Sequence, residues 1–455
     1  MSFVGLLVGA GFATGQEVVQ YFTAFGSWGI LGLIIAALIM TLAGTVFLQL
    51  GSYFHASEHN TVFRNVTHPI VSKLLDVAVI ITLFAIGFVM LAGAGSNMEQ
   101  QFGWKTWIGS TLMLVLVLIV GMLDVDKVSK VIGAVTPTII IAVIGVAIYT
   151  GLNMPDDIGA AMDASSQIDT PIGNWLISAL NYNGLALMLA VSMSLVIGGD
   201  NISPREAGWG GIVGGVIYSI MMGLAGFSLL MNSDQAQGSD IPMLSLVDSV
   251  NPTLGSVMAV IIYLMIFNTA IGMFYALGKR LTRNNPKRFY PVYAGACIIG
   301  FILSFVGFQA LVSNVYPILG YLGLLMIVVM VFNRIKNGSK LSDESDRRMR
   351  AHELVSRRLD PRKRFTKKNE RELRKLAAAS NMETTEFVTN IAEEIHEELE
   401  NDDDIEYDRE DPEPSVTYVQ HTKPEVPSST SDLDFGKKGT GADSGTGTAK
   451  PVSED

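Results

Sequence analysis

The chain has 455 residues, of which 49% are hydrophobic, and a formal net charge of −11. Residues 1–335 contain 12 Lys and Arg against 15 Asp and Glu, so most of the negative charge lies in the residues that follow. This acidic balance argues against a nucleic-acid partner. The single cysteine, Cys297, excludes an intramolecular disulfide and most thiolate metal sites.

Long apolar runs dominate the first part of the chain and give way to a charged tail. Because about 20 apolar residues cross a bilayer as a helix, the sequence predicts an all-α polytopic membrane protein with about ten transmembrane helices. The predicted spans are 2–25, 28–51, 72–100, 106–123, 128–151, 174–198, 207–231, 253–279, 289–308 and 311–334. An even number of crossings places both ends of this part on one side of the membrane.

Positive charge is strongly biased to one set of loops. Ten Lys or Arg residues lie in or beside the loops 52–71, 124–130, 199–206 and 279–288, whereas the opposite set has Lys105 alone. Cytoplasmic loops of membrane proteins carry such an excess of Lys and Arg. The sequence therefore predicts a multi-pass protein of the cell membrane with its N- and C-termini in the cytoplasm.

The first span carries the motif GAGFATGQE near its centre. Each glycine costs about 1 kcal/mol relative to alanine inside a helix, so this cluster predicts a break. A break frees amides that suit an anion and carbonyls that suit a cation such as Na⁺. The residues assigned to substrate binding in this segment are Gly9, Ala10, Gly11, Phe12, Thr14 and Gly15. The alternative is that the glycines only permit close helix packing.

Glu17, at the end of the motif, places a carboxylate deep in the predicted span. Such a group costs roughly 2.5–3.5 kcal/mol on insertion scales and by default marks a functional site. We expect it to bind a coupling ion, to carry a proton, or to hold the broken segment through Gln16, Thr14 and neighbouring helices. The alternative is a structural glutamate that is satisfied by hydrogen bonds.

The sixth span contains a polar patch, Asn181-Tyr182-Asn183-Gly184, about eight residues from its start. This patch predicts a second break and assigns Asn181, Tyr182 and Asn183 to substrate binding. Interrupted helices at corresponding positions of two halves indicate a transporter site. Because five crossings are an odd number, the second half would run opposite to the first, as a five-plus-five inverted repeat.

Two other spans contain polar residues. In the eighth span, the hydroxyl of Thr269 is expected to complete a Na⁺ site beside Asn268 and the carbonyls of the first half-helix, unless it only bonds back to its own helix. Glu99, at the end of the third span, is expected at the outer mouth rather than at the substrate. The glycine-rich run 208–215 is expected to be a close-packing face.

These features resemble a known family. The motif GAGFATGQE, a ten-helix body and the polar patch of the sixth span are similar to the YkvI-type family of amino-acid permeases, within the amino acid–polyamine–organocation superfamily. The resemblance covers residues 1 to about 335 and implies a LeuT-type fold with discontinuous helices one and six. It also implies that amides around Gly9, Ala10 and Gly11 meet a substrate carboxylate, while the sixth-span patch contacts the rest of the substrate.

The resemblance further maps a Na⁺ position onto the carbonyls of Gly5 and Val8, with Thr269 and Asn268. Many members of the superfamily use protons, so both Na⁺ and H⁺ remain open as the coupling ion, and no other cofactor is expected. The motif begins earlier in this sequence than is usual in the family. The charged tail lies outside the resemblance.

The tail is predicted to have two parts. Residues 336–400 form a charged cytoplasmic segment with helical patterns, and residues 401–455 are acidic and of low complexity, which predicts disorder. A basic cluster at 362–368 could contact anionic lipid or a protein, although a solvated tail is the simpler interpretation. The transporter domain is accordingly assigned to residues 1–335.

The predicted function is secondary active transport of amino acids or related small zwitterions by alternating access. The partners are a small-molecule substrate and the lipid bilayer. The alternative is a non-transporting receptor or scaffold that signals through its tail. An enzyme is disfavoured because all six histidines lie in loops or the tail, and a channel is disfavoured because nothing resembles a repeated filter.

Overall fold

The structure is a computed structural model that describes residues 2–122, 135–359, 363–402, 405–407 and 417–418. The chain divides into two compact units, Met1–Gly338 and Ser339–Asp455. In the described residues, the first unit is built from helices and turns. The described residues of the second unit form three helices and one pair of short strands.

The first unit begins with three short helices, α1 (Ser2–Leu7), α2 (Ala10–Thr14) and α3 (Gln16–Tyr21). A short 3-10 turn leads into α4 (Ser27–Tyr53), α5 (His59–Val66), α6 (Pro69–Phe102), α7 (Thr106–Val120) and α8 (Val135–Leu152). Next come α9 (Ile158–Ser165), α10 (Trp175–Gly199), α11 (Pro204–Met231), α12 (Ser233–Ala236) and α13 (Pro242–Val250). The unit ends with α14 (Pro252–Leu281), α15 (Phe289–Ser304) and α16 (Phe308–Lys336).

Six of the described helices are long and apolar enough to cross a membrane, namely α4, α6, α10, α11, α14 and α16. The shorter helices α7, α8 and α15 occupy three further predicted spans, and α1 to α3 together occupy the first. The start of the fifth predicted span, 128–134, lies outside the described residues. The prediction of an all-α membrane protein with about ten spans is confirmed.

One side of α4 has the surface that a bilayer requires. Ile34, Leu38 and Leu42 are 54%, 61% and 67% exposed, and a spacing of four residues places them in one stripe. Met40 and Ala43 are buried on the opposite side. An exposed stripe of large aliphatic side chains faces hydrocarbon, while the small buried residues face the other helices.

Side-chain caps fix where several long helices begin. Asn174 accepts hydrogen bonds from the amides of the first turn of α10 at 3.0 and 3.1 Å. Asn251 does the same for α14, which also has Pro252 in its first turn. Such caps contribute about 0.5–2 kcal/mol each, and proline suits the first turn because the amide there has no helical partner.

Glycines allow α4 to pack closely against α11. A Cβ atom on Gly211 would lie 2.6 Å from the Cα atom of Thr45, and one on Gly215 would lie 2.7 Å from the Cα atom of Thr41. The two helices can approach this closely only because these positions have no side chain. The prediction that the run 208–215 is a packing face is confirmed.

The prediction of a broken sixth helix is wrong, because α10 is continuous from Trp175 to Gly199. The amide of the Asn183 side chain donates to the carbonyl of Ala179 within the same helix at 2.9 Å. The Asn181 side chain instead donates to the carbonyl of Pro317 on α16 at 2.8 Å. The polar patch therefore serves a helix–helix contact, and the helix keeps its own backbone hydrogen bonds.

Gly184 has the same role in this contact. A Cβ atom there would overlap the carbonyl oxygen of Gly320 on α16, and one on Gly323 would overlap the carbonyl oxygen of Gly184. The backbones of α10 and α16 thus touch directly. Glycine here provides close approach rather than a break.

The second unit contains α17 (Gly338–Leu359), α18 (Lys367–Ala379) and α19 (Thr384–Glu400). Its buried charged pair joins the Arg348 guanidinium to the Glu344 carboxylate at 2.9 Å, and Arg348 also donates to Asn381 at 2.9 Å. Two short strands, Ile405–Glu406 and Thr417–Tyr418, pair antiparallel. Most of the segment predicted to be disordered, 401–455, lies outside the described residues, as does the start of the basic cluster at 362–368.

Candidate functional site

The first span is interrupted twice, which confirms the predicted break. α1 ends at Leu7, and α2 begins only at Ala10, after an extended Gly9 with φ −97° and ψ −175°. Gly15 then separates α2 from α3 in the left-handed region, at φ 78°. Residues with a side chain rarely adopt that conformation, so Gly15 is required by the backbone.

The first interruption frees backbone groups. The amide of Val8 still bonds the carbonyl of Val4 at 2.9 Å, whereas the amide of Gly9 turns to the carbonyl of Leu7 at 2.9 Å. Within the described part of the chain, the carbonyls of Gly5 and Val8 then receive no amide partner. These are the two carbonyls that the resemblance assigns to Na⁺.

Thr269 on α14 reaches this interruption. The amide of Ala10 donates to the Thr269 hydroxyl at 3.3 Å, and that hydroxyl donates to the carbonyl of Met265 at 3.1 Å. The bond back to its own helix, left as an alternative by the sequence, is therefore present together with a contact to the first span. Thr269 thus lies beside the interrupted backbone, and its role as an ion ligand stays a prediction.

A cavity of about 250 Å³ lies at the interruption. The predicted site residues that line it are Gly5, Val8, Gly9, Ala10, Gly11, Phe12, Glu17, Asn268 and Thr269. On α14 the lining continues through Gly272 and Met273 to Ala276, which is close to the end of that helix at Leu281. The cavity thus extends from the middle of the unit toward one face, at which α4, α10 and α14 end.

Five predicted substrate residues do not line this cavity: Thr14, Gly15, Asn181, Tyr182 and Asn183. The Thr14 hydroxyl donates to the carbonyl of Gly11 at 2.8 Å and so braces the short helix α2. Tyr182 lies one layer behind the wall, where its hydroxyl meets that of Tyr218 at 2.5 Å. Sequence patterns placed these residues at the right depth but not on the cavity wall.

Two tyrosines on the wall were not predicted. Tyr218 on α11 and Tyr316 on α16 are each 1% exposed and line the cavity. The ring of Tyr218 lies 5.7 Å from that of Phe12, at an interplanar angle of 51°. Three aromatic side chains from three different helices therefore surround the break.

Glu17 also lines the cavity, and its carboxylate lies against Gly11. A Cβ atom on Gly11 would overlap the Glu17 side chain, so the glycine makes room for the carboxylate. Glu17 is 7% exposed, and the described residues offer it neither a hydrogen bond nor an ion pair. The structure gives no support to a glutamate whose carboxylate is satisfied by hydrogen bonds.

A second polar cluster connects the cavity to the face at which α4, α10 and α14 end. Ser192 of α10 lines the cavity, and its hydroxyl lies 3.0 Å from Nδ1 of His59 in the short helix α5 between spans. Asp76 of α6 pairs with Arg280 of α14, and its carboxylate lies 3.7 Å from Nε2 of His59. The sequence placed His59 in a loop and gave no signal for this cluster.

His59 is uncharged at neutral pH. Burial, together with the nearby guanidinium groups of Arg280 and Arg283, lowers its pKa to about 3. A carboxylate at the distance of Asp76 would act in the opposite direction, but Arg280 already neutralises that carboxylate. In the neutral ring, Nδ1 can accept a hydrogen bond from the Ser192 hydroxyl.

A separate polar cavity of about 500 Å³ is lined by Ser96, Glu99, Gln100 and Asp240, among other residues. Glu99 and Gln100 stand near the end of α6, at the opposite end from Pro69. The structure therefore places Glu99 away from the cavity at the broken first span, in agreement with its expected position at a mouth.

The helical body, the interrupted first span and the cavity beside it are those of a multi-pass membrane protein with the LeuT-type fold. A solved structure with this fold is that of MhsT in complex with L-phenylalanine. It covers 86% of this chain and 95% of its own, with a TM-score of 0.55 and 12% identity. No protein-family model matches the sequence.

Two proteins of Bacillus subtilis strain 168 are similar to this chain in sequence. The uncharacterised membrane protein YkvI is 28% identical over 327 residues, which are 71% of this chain and 92% of YkvI. The uncharacterised protein YyaD is 20% identical over 328 residues, 72% of this chain and 94% of YyaD. The resemblance to YkvI-type proteins, and with it the LeuT-type fold, is confirmed.

Proposed function

We propose that this protein is a secondary transporter of amino acids or related small zwitterions, coupled to Na⁺ or H⁺. The observation that carries the proposal is the cavity at the interrupted first span, where free backbone groups and Glu17 lie together. Irregular backbone inside a membrane is stable only where it lines a cavity or binds something. The fold shared with MhsT, which was solved with L-phenylalanine, supports an amino-acid substrate.

The proposed coupling site uses both sides of the first interruption. The carbonyls of Gly5 and Val8 would supply oxygen ligands for Na⁺, with Asn268 and the Thr269 hydroxyl completing the set. Oxygen ligands of this kind suit a hard cation. If the coupling ion is H⁺, Glu17 is the side chain that can carry it.

Alternating access follows from the position of the cavity. It extends toward the face whose loops carry most of the Lys and Arg, which we propose is the cytoplasmic side of the cell membrane. On the other side of the break, a Cβ atom on Gly15 would be 3.1 Å from the amide nitrogen of Met243 in α13. We propose that α13 and the segment around Gly15 separate to admit substrate from outside.

A ligand screen tests the proposed substrate class. We expect at least one amino acid to raise the melting temperature of the purified full chain, because a ligand that binds only the folded state stabilises it by about 2.7 kcal/mol at 100 times its Kd. The screen compares Na⁺ with K⁺ at two pH values, and equal concentrations of glycerol serve as the control. If no amino acid shifts the melting temperature under any condition, the substrate assignment is wrong.

Thr269→Val tests the proposed ion. If Na⁺ binds at Thr269, loss of the hydroxyl should raise the Na⁺ concentration for half-maximal uptake by roughly tenfold, equivalent to about 1.4 kcal/mol of binding energy. The matched control is Thr111→Val, since Thr111 also bonds back to its own helix, at 2.7 Å, but is exposed. Unchanged Na⁺ dependence in Thr269→Val would exclude this ion site.

A further inference from the structure

The cavity at the first interruption has an unbalanced charge. Glu17 is the only acidic side chain among the described residues that line it, and no Lys, Arg or His belongs to that lining. A buried carboxylate without a partner is unfavourable, so a cavity of this kind favours an occupant that brings positive charge.

The position of Glu17 determines which end of a zwitterion it can meet. Its carboxylate lies directly above Gly11, at the start of α2, where the resemblance expects the carboxylate of a substrate. Two carboxylates at this place would repel each other in a site with little water. The resident carboxylate therefore occupies the position of the expected anion and leaves a place for a cation beside it.

The rest of the wall suits an organic cation with an apolar body. Phe12, Tyr218 and Tyr316 present aromatic rings, and ring faces attract ammonium groups. Ile86 and Met90 of α6 add apolar surface. A volume of about 250 Å³ lies just below the usual range of about 300–1,000 Å³ for ligand pockets, which selects a compact molecule.

We propose that Glu17 binds the ammonium group of the substrate and that the substrate needs no carboxylate of its own. The site would then accept compact primary amines as well as the corresponding amino acids, and it would reject acids that lack an amino group. This inference rests on the proposed transport function and names the group that the site recognises. With Na⁺ as the coupling ion, the carbonyls of Gly5 and Val8 would hold it, and Glu17 would remain available to the substrate.

The test compares matched molecules on the purified full chain by calorimetry. Each triplet contains an amino acid, the amine without its carboxylate, and the acid without its amino group. The triplets are alanine, ethylamine and propionate; leucine, 3-methylbutylamine and 4-methylpentanoate; and phenylalanine, 2-phenylethylamine and 3-phenylpropionate. In at least one triplet the amine should bind within about tenfold of the amino acid, while the acid shows no binding.

Glu17→Gln should weaken amine binding by at least tenfold. The matched control is Glu206→Gln, which removes a carboxylate from the exposed first turn of α11 and should leave amine binding unchanged. If Glu17→Gln fails to fold, the comparison of amine and acid on the unmodified protein still tests the proposal, because it directly measures whether the site prefers a cation or an anion.

The outcomes separate this inference from the proposed function. Binding of amino acids without binding of any amine overturns the inference and leaves amino-acid transport standing. Full amine binding by Glu17→Gln also overturns it, since the carboxylate would then serve only the coupling ion or proton. Absence of binding in every triplet overturns both.

Discussion

Gly11→Leu is expected to abolish substrate uptake while the protein still inserts into the membrane. Even a single Cβ atom at this position would overlap the side chain of Glu17. A leucine would therefore displace the carboxylate and fill part of a cavity of only about 250 Å³. Uptake of a radiolabelled substrate into proteoliposomes measures the effect, which should exceed a hundredfold.

The matched control is Gly295→Leu in α15, because a Cβ atom there has no neighbour within 4 Å. Both variants add the same apolar side chain to a membrane helix, so they differ only in what surrounds it. Uptake at the normal rate by Gly11→Leu would show that the cavity beside Glu17 is not the substrate site. Loss of uptake in Gly295→Leu would show that the assay responds to glycine replacement in general.

Acidification is expected to destabilise the protein through His59. Burial and the neighbouring guanidinium groups hold the pKa of His59 at about 3, whereas the unfolded chain has the ordinary value near 6.5. Because the folded state disfavours the protonated ring, the stabilisation is complete above about pH 6.5 and is lost progressively as the pH falls toward 3. At pH 5 this corresponds to a loss of about 2 kcal/mol.

The measurement is the melting temperature of the purified protein from pH 7.5 to pH 5. Asp76 and Glu58 are charged members of the same cluster, so a variant that lacks the imidazole is needed to isolate its effect. His59→Gln keeps an amide that can bond Ser192 but cannot be protonated, and its melting temperature should vary less with pH. A pH dependence equal to that of the unmodified protein would assign the effect to other groups.

The helical frame and the first interruption could be predicted because both depend on local composition. Apolar runs of sufficient length specify crossings wherever they occur in the chain. Gly15 at φ 78° is a local backbone requirement, and the glycine cluster around it predicted a break without knowledge of any partner.

The sixth span was misinterpreted because asparagine and glycine serve more than one purpose in a membrane helix. The partner of Asn181 is the carbonyl of Pro317, which is 136 residues away in sequence. Gly184 packs against Gly320, which lies the same number of residues away in sequence. A break and a close helix contact use the same residue types, and only the position of the second helix distinguishes them.

For a similar reason, only part of the cavity wall could be predicted from the sequence. Gly11, Glu17 and Thr269 are unusual in an apolar span, so the sequence alone indicates them as candidate site residues. Tyr218 and Tyr316 are ordinary residues of membrane helices, and nothing in their spacing indicates that they converge. The contact between Ser192 and His59 joins a span to a loop helix, which no pattern within either segment could reveal.

The direct contact between α10 and α16 has a mechanical consequence. Where the backbone of Gly184 lies against those of Gly320 and Gly323, no side chain separates the two helices. Close-packed protein interiors have low compressibility, so this contact resists deformation. We therefore expect any change in the shape of the first span to occur at Gly9 and Gly15, where its helical backbone is interrupted.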